Sequence, residues 1–197
     1  MANFRRRQQP PVFPDYRSYR PYLQIDFRRQ CCYCGMHEAP EHPGSFAIEH
    51  FRPKEKFPNL ECVYPNLYYA CPRCNRFKWN HWPSGPELEG GSRFWDPCAD
   101  VSAQHFYCTF IDGAIHARTK CGEYTRDRVR LDRPFLRTLR LRRIERQRRF
   151  RELCVLLRQT KERIANSANA PEKPLLERVL NELAKALEEL RPRAVFP

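Results

Sequence analysis

Two Cys-x-x-Cys pairs, Cys31 to Cys34 and Cys71 to Cys74, bracket an adjacent Glu49-His50 pair and the asparagines Asn66 and Asn75. The two thiolates of a Cys-x-x-Cys turn face one tetrahedral centre, and a second such turn completes the four-sulfur shell of a closed, structural zinc site. The residues between them suit phosphodiester hydrolysis. That reaction needs a deprotonated water, a Lewis acid on the non-bridging and leaving oxygens, and a way to hold them in line. A histidine, with an ordinary pKa of about 6.5, accepts a proton near neutrality, so His50 is the candidate general base if it is uncharged and aimed. The hard oxygen donors of Glu49 and the Asn75 amide suit one Mg²⁺ or Mn²⁺, while the softer cysteines keep zinc.

Short elements must position these groups. Ser45 to Phe51 is apolar and aromatic enough for a strand that Arg52-Pro53 ends. Glu49 and His50 then point to opposite faces unless the strand is finishing there. A second strand is expected over Leu67 to Ala70. The Cys71 to Cys74 turn leads into a helix of about Arg73 to His81, ended by Pro83 and Gly85. Asn75 and Lys78, three apart, share a helical face that looks back at Glu49. Simpler readings stand beside these: Asn66 as a turn residue after Pro65, Asn75 as a helix N-cap, Lys78 as a solvated charge. Cys32, Cys62, Cys98, Cys108, Cys121 and Cys154 read as spectators, and His37, His42 and His81 lie near enough in sequence to be substitute ligands.

The order and spacing from Cys31 to Lys78 resemble the HNH endonuclease superfamily, the ββα-metal nucleases, in the variant stapled by four cysteines. The resemblance implies an α+β, zinc-stapled module. In it Glu49 is the acidic metal ligand, His50 the general base, Asn66 the middle residue that orients the base, Asn75 the last metal ligand, and Lys78 a basic residue near the phosphate. It also implies 5′-phosphate and 3′-hydroxyl products. Two departures bear on metal preference: the family more often has Asp at the position of Glu49, and His is frequent at that of Asn75.

With 197 residues, 7 glycines, 18 prolines and 41% hydrophobic residues, the chain reads as a proline-punctuated globular protein, neither collagenous nor wholly disordered. A net charge of +13 points to a polyanionic partner, since paired cations release counterions from nucleic acid. Ten cysteines could indicate a secreted disulfide scaffold, but Met1 to Gln30 is rich in arginine and proline and lacks the apolar core of a signal peptide. Reduced thiols and zinc thiolates in the cytoplasm are therefore expected. No run approaches the roughly twenty apolar residues that cross a bilayer.

Four regions are expected: a flexible basic arm over 1–18, the zinc-stapled module over 19–85, a mixed loop and hairpin region over 86–130, and a basic, mainly helical extension over 131–197. A short helix within Tyr19 to Gln30 delivers Cys31. Asp112-Gly113, between two apolar segments, is a hairpin signal. Trp79, Trp82 and Trp95 could offer a base-stacking surface. From about Asp132 to Ala168 the chain reads as helical, with an apolar stripe of Phe135, Leu136, Leu139, Ile144, Leu153, Leu156 and Leu157. Its other faces are crowded with arginine, of which Arg137, Arg140, Arg143 and Arg146 are candidates to grip phosphate or, alternatively, to meet an acidic protein. Leu176, Leu180, Leu183, Leu187 and Leu190 alternate at four and three, a heptad-type face. It is expected to pack on the preceding helix through a turn near Asn169-Ala170-Pro171, with partner binding or self-association as the alternative.

The longer run Ile48 to Lys54, with Tyr64-Pro65-Asn66-Leu67 and the basic tail, resembles HNH nucleases of bacterial antiphage systems, including Septu and some retrons, which place such a nuclease beside an ATPase. The resulting expectation is a metal-dependent HNH endonuclease acting on DNA in preference to RNA. The competing class is a non-catalytic zinc-knuckle protein that binds nucleic acid.

Overall fold

Two short runs, Ala-Ile-Glu-His and Leu-Tyr-Tyr-Ala, make the two central strands. β1 (Ala47–His50) and β2 (Leu67–Ala70) pair antiparallel, with Ala47 opposite Ala70, Glu49 opposite Tyr68 and His50 opposite Leu67. The computed structural model describes residues 4–39, 41–166 and 171–190. All four β2 residues are buried. α1 (Arg20–Asp26) packs on β2, and ring pairs such as Phe27 with Tyr68, 5.6 Å between centroids, fill that layer.

Arg28 and Arg29, both in the left-handed region, turn the chain out of α1 towards Cys31. The first knuckle is bound to the strand pair through the Cys32 N–H, which donates to the Tyr69 carbonyl at 2.8 Å. α2 (Pro72–Lys78) follows β2 directly. Its N-cap is Cys71, whose sulfur accepts from the Cys74 N–H, so Asn75 lies inside the helix and does not cap it. Left-handed Trp79 closes α2 earlier than expected, its N–H returning to the Asn75 carbonyl. Pro83 and Gly85 lead instead into α3 (Gly85–Glu89), which starts with a reciprocal Ser84 and Glu87 capping box.

The segment expected to be a free arm is fastened down from Phe4 to Arg7. Phe4 is buried, and its N–H donates to the Pro97 carbonyl. The Arg6 guanidinium lies 4.2 Å from the Tyr68 ring centroid and donates to the Tyr64 and Leu67 carbonyls. Aromatic faces and carbonyl dipoles make burial of that cation tolerable. Arg7 forks onto the Asp26 carboxylate at 2.9 Å.

Farther along come α4 (Ser102–His105), the hairpin of β3 (Phe106–Cys108) and β4 (Ile115–Ala117), and α5 (Lys120–Arg128). Gly113, at φ 68°, makes the expected hairpin turn. A Cβ on Gly122 would fall 2.3 Å from the His105 carbonyl oxygen, so only glycine lets α5 approach the end of α4 this closely.

The chain divides into two units, 1–137 and 138–197. The second is built from α6 (Pro134–Asn166), which begins in the first unit, and α7 (Lys173–Leu190). Arg146 donates to the Glu189 and Leu190 carbonyls, and Arg163 pairs with Glu172, so the two helices run antiparallel. Leu176 is buried in their seam. The expected apolar stripe of α6 is only partly covered: Phe135, in the first unit, and Leu156, in the second, are exposed. The expected turn at Asn169-Ala170 lies outside the described residues. Among the described residues, no helix is long and apolar enough to cross a membrane.

Candidate functional site

The four cysteines of the two knuckles converge. The sulfurs of Cys31, Cys34, Cys71 and Cys74 all lie within 4.8 Å of one another, and those of Cys34 and Cys71 are 3.9 Å apart. A tetrahedral zinc with Zn–S bonds of about 2.3 Å sets its sulfurs about 3.8 Å apart, so the donor set fits a metal such as zinc. Arg133 donates to the Cys74 sulfur at 3.2 Å and supplies a positive charge to a sulfur set that is net negative even with zinc bound. Among the described residues, none of the ten cysteines forms a disulfide.

β1 ends on the Glu49-His50 pair, and strand alternation sends the two side chains different ways. Glu49 is 2% exposed and points inward. Its Oε1 lies 2.5 Å from the Lys78 Nζ, and its Oε2 accepts from the Tyr33 hydroxyl at 3.1 Å. Burial, followed by the Glu49 charge, raises the Tyr33 phenol well above its ordinary value, so it stays a donor. Lys78 is completely buried and also donates to the His50 carbonyl oxygen at 2.5 Å. It is thus neither a solvated charge nor a residue displayed towards a phosphate. On a seven-residue helix, Cys74 and Lys78, four apart, share the inward face, and a buried carboxylate demands a cation beside it.

His50 faces the loop between the strands. Its Nε2 is 3.0 Å from the Glu61 carbonyl oxygen. A carbonyl only accepts, so Nε2 carries the proton and Nδ1 keeps the lone pair when the ring is neutral. Burial lowers the His50 pKa and outweighs the Glu61 bond and the Glu49 charge, which act in the opposite direction. The Tyr16 ring meets the imidazole in a T-shaped pair, 4.8 Å between centroids.

Asn66 staples that loop. Its Oδ1 accepts from the Arg52 N–H at 2.8 Å, and its Nδ2 donates to the Arg52 and Leu60 carbonyls. Leu60 adjoins Glu61, so the amide fixes the stretch of backbone that holds His50. A cavity of about 200 Å³ is lined by Glu49, His50, Asn75, Tyr16, Lys54 and Trp79, among others. At about 30 Å³ per water, it has room for a hydrated cation. The hard oxygens of Glu49 and Asn75 are the donors that such a cation requires.

No family model matches the chain. The chain is similar to the Septu protein PtuB of Bacillus thuringiensis. The two are 33% identical over 66 residues, which is 32% of this chain and 25% of PtuB. The chain therefore spans well under two thirds of the length of PtuB, and that likeness by itself gives no residue a role.

The four candidate phosphate-gripping arginines fall in different settings. Arg137 belongs to the first unit and is engaged by Asp132 and Asp112. Arg140, Arg143 and Arg146 belong to the second, where Arg146 caps the α7 C-terminus. Trp95 is buried, Trp82 packs between Phe51, Phe57 and Phe94, and Trp79 is 70% exposed at the cavity. Tyr33, Tyr16, Glu61 and Arg133 were not anticipated as site residues. Only Tyr33, lying between two cysteines of one knuckle, carries a local sequence signal.

Proposed function

We propose that the chain is a metal-dependent HNH endonuclease that hydrolyses phosphodiester bonds, with DNA favoured over RNA. The observation that carries this reading is one cavity lined together by His50, Glu49 and Asn75, with a His50 tautomer that leaves Nδ1 free to take a proton. In this reading Nδ1 takes a proton from the attacking water, while the Glu61 carbonyl and the Tyr16 ring hold the imidazole in place. Asn66 is a positioning residue that acts through the Leu60 to Glu61 backbone. Glu49 and Asn75 would hold one Mg²⁺ or Mn²⁺, which supplies Lewis acidity to the phosphate oxygens and the leaving group. The four cysteines would hold structural zinc and so fix α2 against β1. The buried, unbridged thiols suit a reducing cytoplasm.

The likeness to PtuB supports a role in antiphage defence beside a partner protein, for which an ATPase is the proposed class. The Leu-rich face of α7 is the candidate docking or self-association element. Arg137, Arg140, Arg143 and Arg146 would add phosphate contacts. The division into arm, module, hairpin region and extension is kept in this reading, except that residues 4–7 belong to the module.

A second reading, a zinc-knuckle protein that binds nucleic acid without cutting it, is favoured by one observation: both Glu49 oxygens already have partners. Plasmid nicking with Mg²⁺ or Mn²⁺, run beside His50→Ala and Asn66→Ala, separates the two. Cleavage at least about a hundredfold slower in His50→Ala, with DNA binding retained, supports the nuclease. Equal behaviour of wild type and His50→Ala rejects it.

A further inference from the structure

The Lys78 ammonium stands where a divalent cation would compete for the same carboxylate. It lies 2.5 Å from Glu49 Oε1, both side chains are sealed from solvent, and the Tyr33 hydroxyl takes the other oxygen. Neither Lys78 nor Tyr33 lines the cavity that Glu49 shares with Asn75. A carboxylate held this way has its charge countered by the ammonium, although Oε1 receives no hydrogen bond, and a cation in the cavity gains it as a ligand only when the ammonium gives way. The same ammonium donates to the His50 carbonyl oxygen, so its release also frees the backbone that carries the imidazole.

We propose that Lys78, assisted by Tyr33, is an internal counter-cation that latches Glu49 in a metal-free state, so that divalent-metal affinity is set by the cost of displacing it. This rests on the nuclease reading of the cavity and adds a regulatory element to it: the site is self-neutralised until metal, and the phosphate that shares it, outcompetes one lysine. Two cations cannot share one buried carboxylate at short range without strong mutual repulsion, which makes the competition steep.

The test is Mn²⁺ binding to the zinc-loaded full-length protein, by titration calorimetry and by the metal-induced rise in melting temperature, for wild type, Lys78→Met, Tyr33→Phe and Glu49→Gln. Lys78→Met is expected to melt lower without Mn²⁺, to bind Mn²⁺ at least about tenfold tighter, and to gain more on adding it. Tyr33→Phe should tighten binding by a smaller factor, and Glu49→Gln should abolish it. Wild type binding Mn²⁺ while Lys78→Met binds equally or more weakly overturns the latch and leaves the nuclease reading intact. Retained binding in Glu49→Gln overturns the latch as well. Absence of binding in wild type, Lys78→Met and Tyr33→Phe alike overturns both. If Lys78→Met does not fold, seen as less than one zinc per chain, Tyr33→Phe decides: tighter binding supports the latch and unchanged binding ends it.

Discussion

Residues 4–137 bring together four cysteine sulfurs and seal Tyr19, Tyr33, Tyr68, Tyr69 and Trp95 almost completely from solvent. Residues 138–190 bury one leucine, Leu176, and one threonine, Thr160, among those described. The first region must hold an imidazole, a carboxylate and an amide around one small cavity, which calls for rigid support from several directions. The second is a helical hairpin with a thin seam and many exposed arginines, a construction suited to presenting a surface. All nine tyrosines and three tryptophans of the chain lie in the first region. The tyrosine and tryptophan bands of the near-ultraviolet circular dichroism and the fluorescence therefore report on it alone, while far-ultraviolet signal includes the long helices of the second.

That spectroscopic separation lets the contrast be broken from either side. The largest effect is expected from Cys71→Ala or from zinc chelation. Structural zinc is worth on the order of 10 kcal/mol to small metal-bound folds, so the near-ultraviolet signal should collapse while much of the far-ultraviolet helix signal survives. Simultaneous loss of both would mean that the hairpin depends on the stapled module for its folding. Leu176→Ala should do the reverse on a smaller scale. Removing the one buried leucine of the seam is expected to cost about 2 kcal/mol and to lower a far-ultraviolet melting step, with the tyrosine and tryptophan signals unmoved.

The smallest effect concerns the N-terminal fastening. Burial pushes the Asp26 carboxyl up, but bonds from Arg7 and Tyr64 outweigh it and hold the pKa below the ordinary 3.8. A depressed carboxylate contributes stability that is fully present above its unfolded value and is lost as pH falls through the folded one. Asp26→Asn should therefore lower the near-ultraviolet melting temperature at neutral pH, by an amount corresponding to about 1 kcal/mol or less for so partly exposed a pair. The difference from wild type should shrink below pH 4. A difference that persists undiminished in acid would assign the effect to packing.

How much could be read beforehand follows the same divide between local and distant causes. The Cys-x-x-Cys turns, the β2 limits at Leu67 and Ala70, and the Asp112-Gly113 hairpin were legible because neighbouring residues dictate them: ligand spacing, apolar runs bounded by proline or cysteine, a glycine free to take positive φ. The end of α2 is not legible: the sequence points to Pro83, and nothing in the tryptophan side chain announces the positive-φ backbone at Trp79. Arg6 and Arg7 looked like a solvated basic run, yet they are held by Tyr68 and Asp26, residues remote in the chain.

The amino-acid sequence by itself determined which atoms are available for chemistry, namely four thiols, an imidazole, a carboxylate and two amides, and the local turns that group them in pairs. Only the tertiary structure decided that Lys78 turns inward onto Glu49, that the Glu61 carbonyl sets the His50 tautomer, and that Arg133 reaches Cys74. Spacing constrains neighbours within a turn or two of backbone. Which charges become partners depends on what else is buried beside them, and burial is a property of the assembled chain.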